Sequence, residues 1–175
     1  EVKRGSKLLT KLWNASKYVL MNLSDFEPAT AAQVPVSERF IEDRWVLSEL
    51  NKAVAETRKH LDKYDNYNSR AAIDTFFWDI FCDQYLEFIK DRFWAPEKYS
   101  KESKLSAQWT LYTVLRAIIG LYAPFIPFLT EELWQKIYQD FEGGETLHLT
   151  AYPETKSEYE TDVSQMNIAL EILKN

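Results

Sequence analysis

Apolar and polar positions over the first 21 residues separate once successive residues are set about 100° apart. Ala15, Leu8, Val19, Leu12, Ser16, Leu9, Leu20 and Trp13 fall in that order on one broad side, and Lys3, Asn14, Lys7, Tyr18, Lys11 and Arg4 gather on the opposite arc. The pattern predicts an amphipathic helix over 2–21 with one face toward a core. A connector through Pro28 and Pro35 follows, and Ser37 reads as the cap of a second helix with Glu38 in its first turn. Phe40, Leu47, Val54 and Leu61 recur at seven-residue intervals along it, with Ile41, Trp45 and Leu50 widening the stripe, until Tyr64-Asp65-Asn66 stops it. Ile73, Phe76, Phe77, Ile80, Phe81, Tyr85, Phe88 and Ile89 predict a third helix ending near Ala95-Pro96.

A polar loop over 97–106 is expected before a fourth helix from about Ala107 to Tyr122, broken by Pro124. Thr130-Glu131-Glu132 is predicted to open a fifth helix through Leu133, Trp134, Ile137 and Tyr138, its acidic first turn suiting the helix dipole. Gly143-Gly144 ends that series, and Thr146-Leu147-His148-Leu149-Thr150 alternates with period two, as a short strand or extended strap closed by Pro153. An acidic linker over 154–162 leads to a last helix near 163–174, whose apolar stripe stops abruptly at Asn175, as in a piece cut from something longer. The expected fold is therefore all-α: an antiparallel bundle of about five helices, a short extended strap and a truncated C-terminal helix. Residues 1–153 would form the bundle, and 154–175 an acidic linker with the start of a further element.

Composition narrows the class. Of the 175 residues, 46% are hydrophobic, ample for a core, and four Gly and six Pro favour long helices over a turn-rich β fold. A lone Cys82 cannot form an internal disulfide, and its apolar setting fits a reduced, cytoplasmic compartment. The apolar run over 117–129 is too short for a bilayer and holds Pro124 and Pro127. Net charge is −6, yet residues 1–21 hold Lys3, Arg4, Lys7, Lys11 and Lys17 against Glu1 alone, a local +4 that leaves −10 elsewhere. Any contact with a polyanion must therefore be local and oriented.

The basic arc supplies what that contact needs. Lys3, Arg4, Lys7 and Lys11 suit phosphates, Tyr18 offers a stacking surface, and Lys17 adds charge at the margin. Asn14 has two readings: its amide meets a base edge, or it ties down the backbone near Asn22. Other groups point away from chemistry. Glu145 and His148 have the Glu-x-x-His spacing of di-metal bundles, but they follow two glycines in an alternating segment, have no second copy, and imply no metal. His60 follows Glu56 by four, as a surface pair. Asp79, Asp83 and Glu87, four apart, read as a solvated face with no nucleophile beside it. Trp13 and Trp134 read as core packing, and Pro124 and Pro127 as setting an interhelical angle. No catalytic residue is expected.

Five segments in order carry a resemblance: Leu9-Thr10-Lys11-Leu12-Trp13-Asn14-Ala15-Ser16-Lys17-Tyr18-Val19, Asp43-Arg44-Trp45-Val46-Leu47, the aromatic run 77–87, the corner from Ala123 to Trp134, and Leu147-His148-Leu149-Thr150-Ala151-Tyr152-Pro153. Together they resemble the anticodon-binding domain of class Ia aminoacyl-tRNA synthetases, over nearly the whole chain to Pro153. The family usually has Phe at the position of Tyr18. The run Lys11-Leu12-Trp13-Asn14-Ala15-Ser16 leans to the valyl branch, and the Pro-Phe-x-x-Pro corner is shared with isoleucyl and leucyl branches. Lys98-Tyr99-Ser100-Lys101 is similar to the synthetases' ATP-holding loop, but without a βαβ pattern or Gly-rich loop it reads as a solvated connector.

The resemblance implies a non-catalytic module that binds the anticodon stem-loop of tRNA for valine. ATP would be used only in the parent enzyme's catalytic domain, the second implied partner. Neither a membrane nor DNA is implied, and this fragment would hold no cofactor of its own. The same domain of an isoleucyl or leucyl enzyme, or a helical protein-interaction module, is the alternative.

Overall fold

A computed structural model describes residues 2–28 and 34–173, with side chains apart from those of residues 2–4, 96 and 173. Among the described residues all regular structure is helical, without a strand. The helices are α1 (Val2–Asn22), α2 (Ile41–Leu61), α3 (66–94), α4 (Lys101–Tyr122), α5 (Pro127–Ile137), the single turn α6 (Gln139–Glu142) and α7 (Ser164–Leu173). The all-α expectation holds, with several boundaries moved.

Ser37 does not cap α2. It lies in a 3-10 turn, Val36–Glu38, and α2 opens after Phe40, whose side chain makes no capping hydrogen bond. α4 starts six residues before the expected Ala107, because Ser100 accepts from the Ser103 amide and turns the presumed loop into a polar first turn. α5 starts at Pro127, the first helical position where a missing N–H costs nothing, so Glu131 falls in the second turn rather than the first. Thr146–Thr150 forms no strand. Leu147–Leu149 is a 3-10 turn held by Glu131, which accepts from the Thr146 hydroxyl at 2.7 Å and the Leu147 amide at 2.9 Å.

α3 is one continuous helix in three stretches: α over Asn66–Thr75, π over Phe76–Tyr85 and α over Leu86–Trp94. Asp65 caps it, accepting from the Asn68 amide. Ile73, Phe77, Phe81, Tyr85 and Ile89 are all fully buried at strict four-residue spacing. In an α-helix such a row drifts about 40° per step and leaves the core within three turns. A π stretch takes more residues per turn, because its hydrogen bonds close i→i+5, and turns the drift back. The row therefore stays on one face for its whole length.

α2 packs on α3 and α4, and α1 rests chiefly on α4 and α5. Leu8, Leu12, Ala15, Val19 and Ser16 of α1 are buried as expected; Leu9 and Leu20, at 41% and 40% exposure, are not, so the buried arc is narrower than the apolar one. Gln108 of α4 donates to the Asn22 carbonyl and to Asp25, fixing the end of α1. The segment after α6 crosses α4 at Gly120, where a Cβ would stand 2.8 Å from Pro153 Cγ, so only glycine admits the crossing. Asn51 then exchanges two hydrogen bonds with the Lys156 backbone, and Tyr159, Val163 and Met166 join the same buried cluster.

At the centre, Asp43 of α2 is fully buried. It accepts from the Tyr85 hydroxyl at 2.7 Å, Arg92 Nη1 at 2.8 Å and the Ser106 hydroxyl at 2.5 Å, while Arg92 Nη2 reaches Glu42 at 2.7 Å. Burial pushes the Asp43 carboxyl up, and Arg92, Ser106 and Tyr85 pull it back. Burial opposes the Arg92 charge, but Asp43 and the groups around it more than restore it. Removing Asp43 takes from Arg92 its fully buried partner, leaving Glu42 alone, and takes from the Tyr85 and Ser106 hydroxyls their shared acceptor. Asp43→Ala should therefore cost about 3–5 kcal/mol of stability in urea unfolding; a loss under about 1 kcal/mol would show that the pair is not holding the helices.

Candidate nucleic-acid interface

Because α1 leans on α4 and α5, a groove opens between it and α3. Its inner half, about 290 Å³, is bounded by Lys11, Asn14 and Tyr18 from α1 and by Leu86, Glu87 and Trp94 from α3. The outer half, about 330 Å³, continues past Lys7 and Thr10 toward Trp78. Lys11 and Asn14 belong to both halves, which join them into one channel.

The α3 wall owes its composition to the π stretch. Trp78, Cys82, Leu86, Lys90 and Trp94 also stand four apart, and all five line this groove. In an unbroken α-helix Trp78 and Trp94 would face directions roughly 160° apart. Sequence periodicity at 100° per residue hides that row, and none of Trp78, Glu87, Lys90 and Trp94 was expected at the site. The available signal was the repeated interval of four from 73 to 94.

The expected site residues divide. Lys7, Lys11, Asn14 and Tyr18 share the groove. Lys17 does not line it, and its ammonium lies 5.8 Å from the Trp13 ring centre. Lys3 and Arg4 lie on the first turn of α1, with side chains outside the described residues. Asn14 is exposed, and the amide near it that does tie backbone belongs to Asn22, donating to the Tyr18 carbonyl at 2.8 Å. Lys11 is 36% exposed, 3.2 Å from Asp83 and 5.1 Å from the Trp78 ring centre. The acidic row on α3 is exposed as read, yet it also faces the basic helix: Asp83 takes Lys11, and Glu87 stands in the groove.

Burial raises the Tyr18 phenol, the Glu87 charge raises it further, and hydrogen bonding from Trp94 and Asn22 works against both. Burial likewise pushes the Cys82 thiol up to about 12, against the lowering effect of Lys11. Cys82 is thus protonated and inert at neutral pH. The groove offers cations, carboxylates, an amide and three aromatic faces, a set suited to holding a ligand. Among the described residues no cluster of three or more His, Cys, Asp or Glu could hold a metal ion, and no helix is long and apolar enough to cross a membrane.

Fold and groove together define a helical-bundle module with a polar and aromatic channel on its outer side. The profile of the family described as the anticodon-binding domain of tRNA ligase matches residues 43–175. The chain is 36% identical over 149 residues to the valine–tRNA ligase of Fusobacterium nucleatum, covering 85% of this chain and 16% of that protein. It is 40% identical over 152 residues to that of Thermotoga maritima (87% and 16%), and 34% over 170 residues to that of Geobacter sulfurreducens (95% and 18%). The chain belongs to the anticodon-binding domain family of tRNA ligases. It spans about a sixth of the length of these relatives.

The protonated state of Cys82 is directly testable. At pH 8 its alkylation by iodoacetamide should run roughly a thousandfold slower in the folded chain than in urea, and should still be rising at pH 11. Equal rates at pH 8 would mean the groove floor is open and the thiol is not buried.

Proposed function

We propose that the domain grips the anticodon stem-loop of tRNA for valine along the α1–α3 groove. The parent polypeptide would attach valine to that tRNA with ATP, in a separate catalytic domain and in the cytoplasm. The relatives' names support the choice of valine. The observation that carries the reading is the convergence of Lys7, Lys11, Asn14 and Tyr18 on one channel with two tryptophans opposite. Residues 1–153 are the binding bundle in this reading. Phosphates run along the α1 side, where Lys7 is exposed and where the helical period of the sequence sets Lys3 and Arg4 on the same arc. An unpaired base leaves its stack for the Tyr18 ring, and Asn14 supplies a donor and an acceptor at its edge. Lys11 must first leave Asp83. A pair this exposed contributes about 0–1 kcal/mol, so the exchange is nearly free.

Filter binding with tRNA for valine, tRNA for isoleucine and heparin separates the alternatives. Preference for the first supports the reading; equal weak binding of all three fits a protein-interaction module instead. Lys7→Ala with Lys11→Ala should lower tRNA affinity and flatten its salt dependence, by roughly one unit of slope per lost phosphate contact. Tyr18→Ala should cost about 1–3 kcal/mol of binding. If the double lysine variant binds as the parent chain does, α1 is not the contact helix.

A further inference from the structure

The segment after α6 leaves a cavity of about 320 Å³ between itself, α2 and α4. Its apolar lining comes from Leu50 and Val54 of α2, Ala117 of α4 and Pro153 of the crossing segment, and none of its residues belongs to the α1–α3 groove. The acceptors around it are already engaged. Asn51 is committed to the Lys156 backbone, and Glu142 accepts from Arg116 Nε at 2.8 and 2.9 Å and from Trp134 Nε1 at 3.2 Å. Glu154 turns to Arg58 at 3.4 Å, with its side chain 72% exposed.

The donors are not. Tyr159 lines the cavity at 3% exposure, yet its hydroxyl has no hydrogen-bond partner. A buried hydroxyl left unpaired is a cost that a bound acceptor removes. Arg116 directs Nε to Glu142 and Nη2 to Thr150, while Nη1, 3.5 Å from where a Cβ on Gly120 would stand, meets no acceptor among the described residues. Lys156 Nζ has only Glu158, at 3.9 Å, and the Tyr159 ring, 5.3 Å from its centre. We propose that this cavity binds a small amphiphilic anion, a carboxylate on a short aliphatic chain. Its chain lies on Leu50, Val54, Ala117 and Pro153, and its carboxylate takes up the open donors of Arg116, Lys156 and Tyr159. A cationic head would find those donors and no unengaged carboxylate. The volume is at the lower end for small-molecule sites, which keeps the chain short. Nothing in this site depends on the RNA reading of the groove.

Sodium octanoate is the probe, titrated into the isotope-labelled 175-residue chain and followed by the NMR shifts of its backbone amides. Octanol and octyltrimethylammonium serve as the neutral and cationic counterparts. Octanoate should shift the amides of Asn51, Thr113, Ala117 and Lys156 saturably, with a Kd of about 1 mM or tighter, and leave those of Lys11, Asn14 and Leu86 in place. The cationic counterpart should bind at least about fivefold more weakly. Lys156→Gln should lower octanoate affinity roughly 2- to 5-fold and leave that of octanol unchanged. The Lys156 side chain is 56% exposed, so this variant should unfold in urea as the parent chain does. Ala151→Phe, at an exposed position on the lining, sets a ring over the cavity and should abolish the shifts. Equal binding of all three amphiphiles overturns the proposal, because the cavity would then be an apolar surface without a head-group site. Shifts centred on the exposed Phe128 and Leu149 instead, or no saturable shift in the cavity, overturn it as well.

Discussion

Everything on the α3 side of the molecule depends on one buried carboxylate. Asp43 sits with no exposed surface where α2 begins, α3 ends and α4 begins, and it can be there only because Arg92, Tyr85 and Ser106 all donate to it. Each donor comes from a helix that must arrive at a fixed height and rotation. Two of them, Tyr85 and Arg92, bracket Glu87 and Lys90 on α3. Fixing the inner face of that turn fixes its outer face, so the core network sets the direction in which Glu87 and Lys90 enter the groove.

The same network explains a boundary that the hydrophobic pattern misplaced. Lys101 to Ser106 is polar and reads as a loop, since periodicity detects a helix by its apolar stripe. The first turn of α4 is helical for a polar reason: Ser100 caps it, Arg92 reaches toward the Ser103 carbonyl, and Ser106 closes on Asp43. Lys104 adds an outer tie to Asp25 beyond the end of α1. α2 shows the reverse failure. Ser37 has the right residue type for a cap, but its turn closes as a short 3-10 helix, and nothing in the local sequence announces the extended Phe40 that follows.

Most of the fold was legible because helix interiors here are strongly apolar. Leu12, Val19, Leu47, Val54, Leu111 and Leu115 fall where a 3.6 period places them, and all are buried. Half of the site was legible on the same terms, since the polar arc of α1 is the complement of its apolar arc. The α3 half was not. Its rows obey an interval of four, a rule that holds only because ten residues of the helix wind wide, and winding is not readable from residue type. A 3.6 period consequently sets Trp78 and Trp94 on different faces.

The groove is also where internal pairing and ligand binding compete. A strongly acidic remainder would neutralise a basic helix if the two packed closely, and the protein avoids that by resting α1 on α4 and α5. Among the described side chains of α1, Lys11 alone pairs with a carboxylate on α3, across a gap open enough for solvent to weaken the attraction. Lys11 is thus paired at rest, yet the pair is exposed enough for its charge to remain available to an incoming strand. A wall of cations alone would grip any polyanion. Carboxylates set among the cations, Asp83 beside Lys11 and Glu87 beside Lys90, weaken such an unselective grip and leave any preference to contacts other than charge.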